Sequence, residues 1–79
     1  MENRFKKIVK MMEEQLVDEI MESVELQGLE NEEEIQEYLD DGFYSSSFAE
    51  FCEENGGDLY FSAVWKNNKP YVSVSAWGE

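Results

Sequence analysis

The chain has 79 residues, which is enough for one small domain and too short for a second core. Six Lys and Arg residues against nineteen Asp and Glu residues give a net charge of −13. This charge argues against direct nucleic-acid binding, which needs a basic patch. Because 42 % of the residues are apolar and 14 % are aromatic, we expect residues 1–79 to fold as a single acidic domain.

The first predicted element is a long amphipathic helix over residues 4–27. Apolar residues recur there at three- and four-residue spacing and define one helix face, namely Phe5, Ile8, Val9, Met12, Leu16, Ile20 and Val24. The opposite face carries a row of carboxylates about 5–6 Å apart along the axis, formed by Glu14, Asp18, Glu22 and Glu25. Gly28 is a natural stop for this helix.

A second, short helix is predicted over residues 31–40. Asn31 followed by Glu34 is typical of a helix N-terminus, with the Asn side chain as the cap. Gly42 then closes the helix. The residues expected to point inward are Ile35, Tyr38 and Leu39.

A third helix is predicted over residues 48–54. Ser47 followed by Glu50 has the spacing of a capping box, so we expect Ser47 to cap this helix. The pair Gly56-Gly57 ends it. The residues expected to pack inward are Phe48, Phe51 and Cys52.

After the glycines, the period of the apolar residues changes from 3.6 to 2. Residues 59–65 and 71–77 therefore predict two strands, joined by a turn over residues 66–70. The fold class is α+β, with a long amphipathic N-terminal helix, two short helices and a C-terminal antiparallel β-hairpin. An isolated hairpin is marginal in water, so it must pack on the helices, and its free edges can pair with another copy or another protein.

The residue types available argue against an enzyme. The chain has no His, which removes the commonest proton-transfer group at neutral pH and with it His-dependent nucleophiles and metal sites. Asp40-Asp41-Gly42 lacks the ligand spacing of a calcium loop. We predict no catalytic, cofactor-binding or metal-binding residue.

Location is predicted from the cysteine count and from hydropathy. Cys52 is the one cysteine and cannot form an internal disulfide, as is typical of a reducing cytoplasm. Apolar runs are short, and the acidic face of the first helix does not suit anionic lipid. We therefore expect a cytoplasmic protein that does not bind membranes.

The distribution of charge is more informative than its sum. No Lys or Arg occurs between residues 11 and 65, so the carboxylates in that stretch lack basic neighbours in sequence and repel one another. A cationic partner would compensate them. The predicted partner-binding residues are Glu14, Asp18, Glu22, Glu25, Glu30, Glu32, Glu33, Glu34, Glu37, Asp40 and Asp41, and Glu50, Glu53, Glu54 and Asp58 extend this surface.

In size and in its long basic-free stretch, including the run Glu30-Asn31-Glu32-Glu33-Glu34, the chain resembles the small acidic DNA-mimic inhibitors made by bacteriophages. These proteins share no motif, so the resemblance transfers no individual residue. It implies a phage-encoded inhibitor that occupies the basic DNA-binding site of a bacterial host protein, such as a nucleoid-associated protein, RNA polymerase or a nuclease. It also implies that a homodimer can form through the hairpin or the long helix.

Two other interpretations stay open. An antitoxin or bacteriocin immunity protein also covers the basic active site of a nuclease, with one compact acidic patch and a single tight partner. A non-inhibitory acidic adaptor domain would carry the same charges as a solvated surface. The sequence does not separate these alternatives.

Overall fold

The computed structural model describes the backbone of residues 2–76 and the side chains of residues 5–76. The elements are the helices α1 (Glu2–Gln27), α2 (Glu32–Glu37) and α3 (Ser46–Glu54), a π-helical turn at Tyr38–Gly42, and the strands β1 (Leu59–Lys66) and β2 (Lys69–Ala76). The α+β class and the order of elements predicted from the sequence are confirmed. Trp77, predicted as the last residue of the second strand, lies outside the described residues.

Helix α1 sets the length of the molecule. Its 26 residues correspond to about 39 Å, close to the longest dimension of 41 Å. On the predicted apolar face, Met12, Leu16, Ile20 and Val24 are buried. Phe5 and Ile8 of the same face are 41 % and 39 % exposed, because the buried clusters cover α1 only from Met12 onward.

Helix α1 ends at Gly28 in a turn that two backbone hydrogen bonds close. The Gly28 N–H donates to the Glu25 carbonyl at 3.1 Å, and the Leu29 N–H donates to the Val24 carbonyl at 3.2 Å. Gly28 has a φ of 70°, a conformation that costs glycine little. Leu29 then packs on the same cluster as Val24, which directs the chain toward α2.

Helix α2 begins at the predicted cap and ends in a wider turn. The Asn31 side chain accepts hydrogen bonds from the backbone N–H groups of Glu33 and Glu34, at 2.8 and 3.3 Å. The Phe43 N–H reaches the Tyr38 carbonyl at 2.7 Å, which closes the π-helical turn. A Cβ at Gly42 would lie 2.9 Å from Cδ1 of the Tyr38 ring, so this position accommodates only glycine without a shift.

Helix α3 starts two residues earlier than predicted. The cap is Ser45, whose buried hydroxyl accepts a hydrogen bond from the Phe48 N–H at 3.1 Å. The predicted capping role of Ser47 was wrong, because Ser47 is the second residue of the helix, and its hydroxyl donates to Glu19 of α1. The Ser45 hydroxyl donates to the same carboxylate while it accepts from Phe48, so Glu19 contacts both serines at the start of α3.

The hairpin is tighter than predicted. Asn67 and Asn68 both have positive φ, 56° and 63°, which is the signature of a two-residue type I′ turn. The residues on either side of it, including Pro70, belong to the strands, so the predicted link over residues 66–70 was too long. The register pairs Phe61 with Val74 and Ala63 with Val72.

One face of the hairpin closes the core. Ala63 packs in a cluster with Ile20, Val24, Ile35 and Leu39, and a second cluster contains Met12, Leu16 and Phe48. Phe61 packs against both clusters, and its ring makes edge contacts with Phe43 and Phe48 at centroid distances of 6.2 and 4.8 Å. These contacts join the helices and the hairpin into one core.

The edges of the hairpin are occupied at particular points, which corrects the expectation that both are free. On β1, the Gln36 side chain donates to the Ala63 carbonyl at 3.0 Å and accepts from the Trp65 N–H at 2.8 Å. On β2, the Val74 N–H donates to the Glu13 carboxylate at 2.9 Å. Side chains therefore take the place of a neighbouring strand at these positions.

No helix within residues 2–76 has both the length and the apolar character of a membrane span.

Candidate protein-binding surface

The acidic row on α1 faces away from the body of the protein. Asp18 lies about half a helical turn from both Leu16 and Ile20, which are fully buried, so its side chain points to the opposite side. The four residues of the row, Glu14, Asp18, Glu22 and Glu25, are all exposed. They span about 16 Å of helix axis. We call this set the α1 row.

A second acidic group surrounds α2. Its members are exposed without exception: Glu30, Glu32, Glu33, Glu34, Glu37, Asp40 and Asp41. Three of them occupy the first turn of the helix, where the positive end of the helix dipole stabilises negative charge. Asp40 also accepts a hydrogen bond from the Gln36 amide at 3.0 Å. We call this set the α2 group.

The core relates α2 to the apolar side of α1. Val24 of α1 and Ile35 of α2 belong to the same buried cluster, so α2 lies beside the C-terminal half of α1 on the side opposite the α1 row. Each helix buries its apolar side in that cluster and turns its carboxylates outward, so the two sets face solvent from different sides of the shared core.

A shallow depression of about 420 Å³ lies within the α2 group. Leu29 and the half-buried ring of Tyr38 form its apolar part, and Glu34, Glu37 and Asp41 stand around it. An aromatic ring beside several carboxylates suits a cationic side chain, because the ring face and the carboxylates both attract positive charge.

Not every carboxylate of α1 is available for a partner. Burial raises the pKa of Glu19, but hydrogen bonds from Ser47, Ser45 and Gln15 outweigh that effect and leave the pKa below its ordinary value. The Ser45 hydroxyl donates at 2.7 Å and the Gln15 amide at 3.0 Å. Glu19 therefore links α1 to the start of α3 through hydrogen bonds. Glu13 links α1 to β2 in the same way.

The outward face of the hairpin has the opposite character. Its side chains are Tyr60, Ser62, Val64, Lys66, Lys69, Tyr71, Ser73 and Ser75, and none of them is acidic. Val64 and Tyr71 are 53 % and 45 % exposed, and the Lys69 ammonium lies 5.1 Å from the centre of the Tyr71 ring. The hairpin thus concentrates neutral, aromatic and basic residues, whereas the helices carry the acidic ones.

The sequence predicted that all eleven candidate residues lie on the surface, but it did not reveal the side chains that hold the helices and the hairpin together. These side chains are Glu13, Glu19 and Gln36. In the sequence they are ordinary polar positions at the borders of helix faces, and they form hydrogen bonds with residues 26 to 61 positions away.

Within residues 5–76, no three His, Cys, Asp or Glu side chains are arranged to hold a metal ion.

The helices therefore present exposed carboxylates to solvent on a packed framework. Comparison with known proteins adds no relative from which a binding partner could be inferred. No protein-family model, no curated protein and no solved structure matches this chain.

Proposed function

We propose that this protein is an acidic DNA mimic that binds the basic DNA-binding site of a bacterial host protein and blocks it. The proposal includes a phage origin, action in the host cytoplasm and no catalytic activity. The observation that supports it is the extent of the acidic surface. The α1 row and the α2 group together expose eleven carboxylates, and no Lys or Arg interrupts them between residues 11 and 65.

The energetic argument starts from repulsion. A net charge of −13 on 79 residues works against the compact state, since like charges are brought together by folding. A basic cleft that normally holds DNA relieves this repulsion when the protein enters it. The α1 row offers one carboxylate per 5–6 Å of axis, whereas a DNA strand offers one phosphate per about 3.4 Å. The α2 group supplies further charge on a second helix.

The depression at Tyr38 gives the proposed interface a specific contact. An arginine that reaches a DNA phosphate in the partner's cleft can instead stack on the Tyr38 ring and pair with Glu34, Glu37 or Asp41. Arginine is the better occupant because its planar guanidinium both stacks and pairs with carboxylates. The α1 row would then bind neighbouring lysines and arginines less specifically.

The second candidate is an immunity-type or antitoxin inhibitor of one nuclease. The compact arrangement of three carboxylates around Tyr38 favours it, since such an inhibitor concentrates its contacts in one patch. A non-inhibitory acidic adaptor is the remaining alternative. The three differ in whether duplex DNA competes and in whether the partner loses activity.

The proposal also includes a homodimer through the outward face of the hairpin. That face lacks carboxylates, so two copies can meet there without the repulsion that opposes contact between their acidic surfaces. Sedimentation equilibrium at several salt concentrations tests this part separately. A monomer at every concentration would remove the dimer from the proposal and leave the acidic interface in place.

The test of function is capture followed by competition. Tagged protein is incubated with a bacterial lysate at low salt, the bound proteins are identified, and increasing duplex DNA is added. A basic DNA-binding protein that duplex DNA releases, and whose DNA binding the acidic protein inhibits, supports mimicry. A nuclease that is inhibited and held regardless of DNA supports the immunity-type role. A partner that keeps its full activity supports the adaptor.

A further inference from the structure

The α1 row and the outward face of the hairpin lie on opposite sides of the molecule. On the inward face of the hairpin, Phe61 and Val72 pack against both buried clusters, which contain Leu16 and Ile20 of α1. The α1 row, with Asp18 near its centre, points away from those clusters. Because side chains alternate between the two faces of a strand, the outward face of the hairpin points away from α1 in the other direction.

These two sides suit different partners. The α1 row carries four exposed carboxylates, which complement a basic protein. The outward face of the hairpin carries none, and its central cross-strand pair, Val64 and Tyr71, is 53 % and 45 % exposed. A second copy therefore meets less repulsion at the hairpin than at the acidic helices. Contact between copies at the hairpin leaves the α1 row of each copy uncovered.

Stacking two copies on their outward faces fixes the direction of the two rows. The layers then follow the order α1, hairpin, hairpin, α1. Neighbouring layers in proteins are about 10 Å apart, so the two α1 axes lie about 30 Å from each other. The two α1 rows occupy the two outer surfaces of this stack and point in opposite directions. A basic cleft that receives one row leaves the other open to solvent.

We propose that the dimer is bivalent, so that each α1 row binds its own basic partner molecule and the dimer bridges two of them. This inference rests on the proposed function, because it needs both the acidic interface and the dimer. It adds a stoichiometry of two partner molecules per dimer. It also adds an activity that one protomer lacks, the joining of two DNA-binding proteins whose DNA sites are both blocked.

The arrangement of the dimer is tested by a distance between protomers. A nitroxide label is attached at Asp18→Cys, with Cys52→Ser to leave one reactive thiol, and pulsed dipolar spectroscopy is recorded at high protein concentration. The expected distance between the two labels exceeds about 30 Å. A dimer that forms through α1 would bring the helix axes to about 8–10 Å, and the resulting short distance would overturn the inference. If no dipolar coupling is found, the dimer and the inference both fall, while capture and competition with DNA still test the acidic interface.

Bridging is tested with an oligoarginine peptide as the cationic probe. The peptide is attached to two populations of beads that carry a fluorescent donor and an acceptor, and unsubstituted protein is added at concentrations at which sedimentation shows the dimer. Energy transfer between the beads should rise and then fall at large excess of protein, when separate dimers fill every site. Val64→Glu with Tyr71→Glu should abolish the transfer without reducing the protein bound per bead.

The matched control is Met11→Glu with Leu26→Glu, which adds the same charge at α1 positions that are 66 % and 79 % exposed. This variant should still bridge the beads, and circular dichroism checks that both variants are folded. Dimeric protein that binds the beads without joining them overturns the inference and leaves the acidic interface in place. If no protein binds the beads, the acidic interface itself fails, and the inference fails with it.

Discussion

The backbone N–H of Trp65 donates a hydrogen bond to the side-chain oxygen of Gln36, 29 positions earlier in the chain, at 2.8 Å. The amide nitrogen of the same side chain donates to the Ala63 carbonyl and to Asp40, each at 3.0 Å. One glutamine thus links the acidic helix to the edge of the hairpin. It positions part of the acidic surface and protects a strand edge at the same time.

Removing this link should destabilise the protein and expose the edge of β1. For Gln36→Leu we expect a loss of about 1–3 kcal/mol in the free energy of unfolding, because two backbone groups lose their partner. Urea unfolding measures the loss, and light scattering detects association through the edge. Gln27→Leu, at the exposed end of α1, is the control. Equal stability of the two variants would show that the Gln36 hydrogen bonds do not hold the hairpin in place.

Glu19→Gln should weaken the contact between α1 and α3 by about 1–2 kcal/mol, since hydrogen bonds to a charged acceptor are stronger than those to a neutral amide. The folded-state pKa of Glu19 is below its ordinary value. Its contribution is therefore complete above the pKa of the unfolded chain and is lost as the pH falls through the folded-state pKa. The measurement is the difference in unfolding free energy between wild type and variant from about pH 7 to about pH 3.

Taking the difference is necessary because acid also relieves the general repulsion among the carboxylates. That effect is common to both proteins and cancels. A wild-type advantage that stays constant down to the lowest pH would contradict the assigned role of the ionised Glu19 side chain.

Neutralising the α1 row should separate binding from stability. With Glu14→Gln, Asp18→Asn, Glu22→Gln and Glu25→Gln combined, we expect unchanged or higher stability, because exposed like charges are removed, and weaker partner binding with a smaller salt dependence. Titration of the captured partner at two salt concentrations measures this. A comparison variant removes the same charge from Glu50, Glu53, Glu54 and Asp58, which only extend the predicted surface, and it should weaken binding less. Equal weakening by both variants would mean that the α1 row has no larger part in binding than these four positions.

Gly42→Ala should destabilise the protein by about 1–3 kcal/mol, as expected when a methyl group is forced into a packed site. The added Cβ would lie 2.9 Å from the Tyr38 ring, and Tyr38 lines the acidic depression. Thermal unfolding measures the stability, and titration of the partner reports whether the ring has moved. A further substitution, Tyr38→Leu, should relieve part of the strain. Unaltered stability of Gly42→Ala would show that the turn adapts at no cost.

Local patterns in the sequence carried the prediction of the elements. The 3.6-residue spacing from Met12 to Val24, the cap at Asn31 and the glycine at position 28 each specify short-range geometry, so the three helices and the hairpin could be predicted from neighbouring residues alone. The same spacing predicted the outward direction of the α1 row. The errors arose where local preference left alternatives, as among the three serines before α3 and at the Asn67-Asn68 turn.

Composition and periodicity by themselves determined that the chain is acidic, that it is α+β and that its carboxylates lie on helix faces. Only the tertiary structure decided which carboxylates stabilise the fold through hydrogen bonds. Glu13 accepts from a donor 61 positions away, and Glu19 accepts from donors 26 and 28 positions away. It also decided that α2 lies beside the C-terminal half of α1 and that the α1 row and the outward face of the hairpin lie on opposite sides of the molecule. The physical reason is that helix and strand patterns depend on neighbouring residues, whereas side-chain hydrogen bonds and cavities depend on which distant elements share a core.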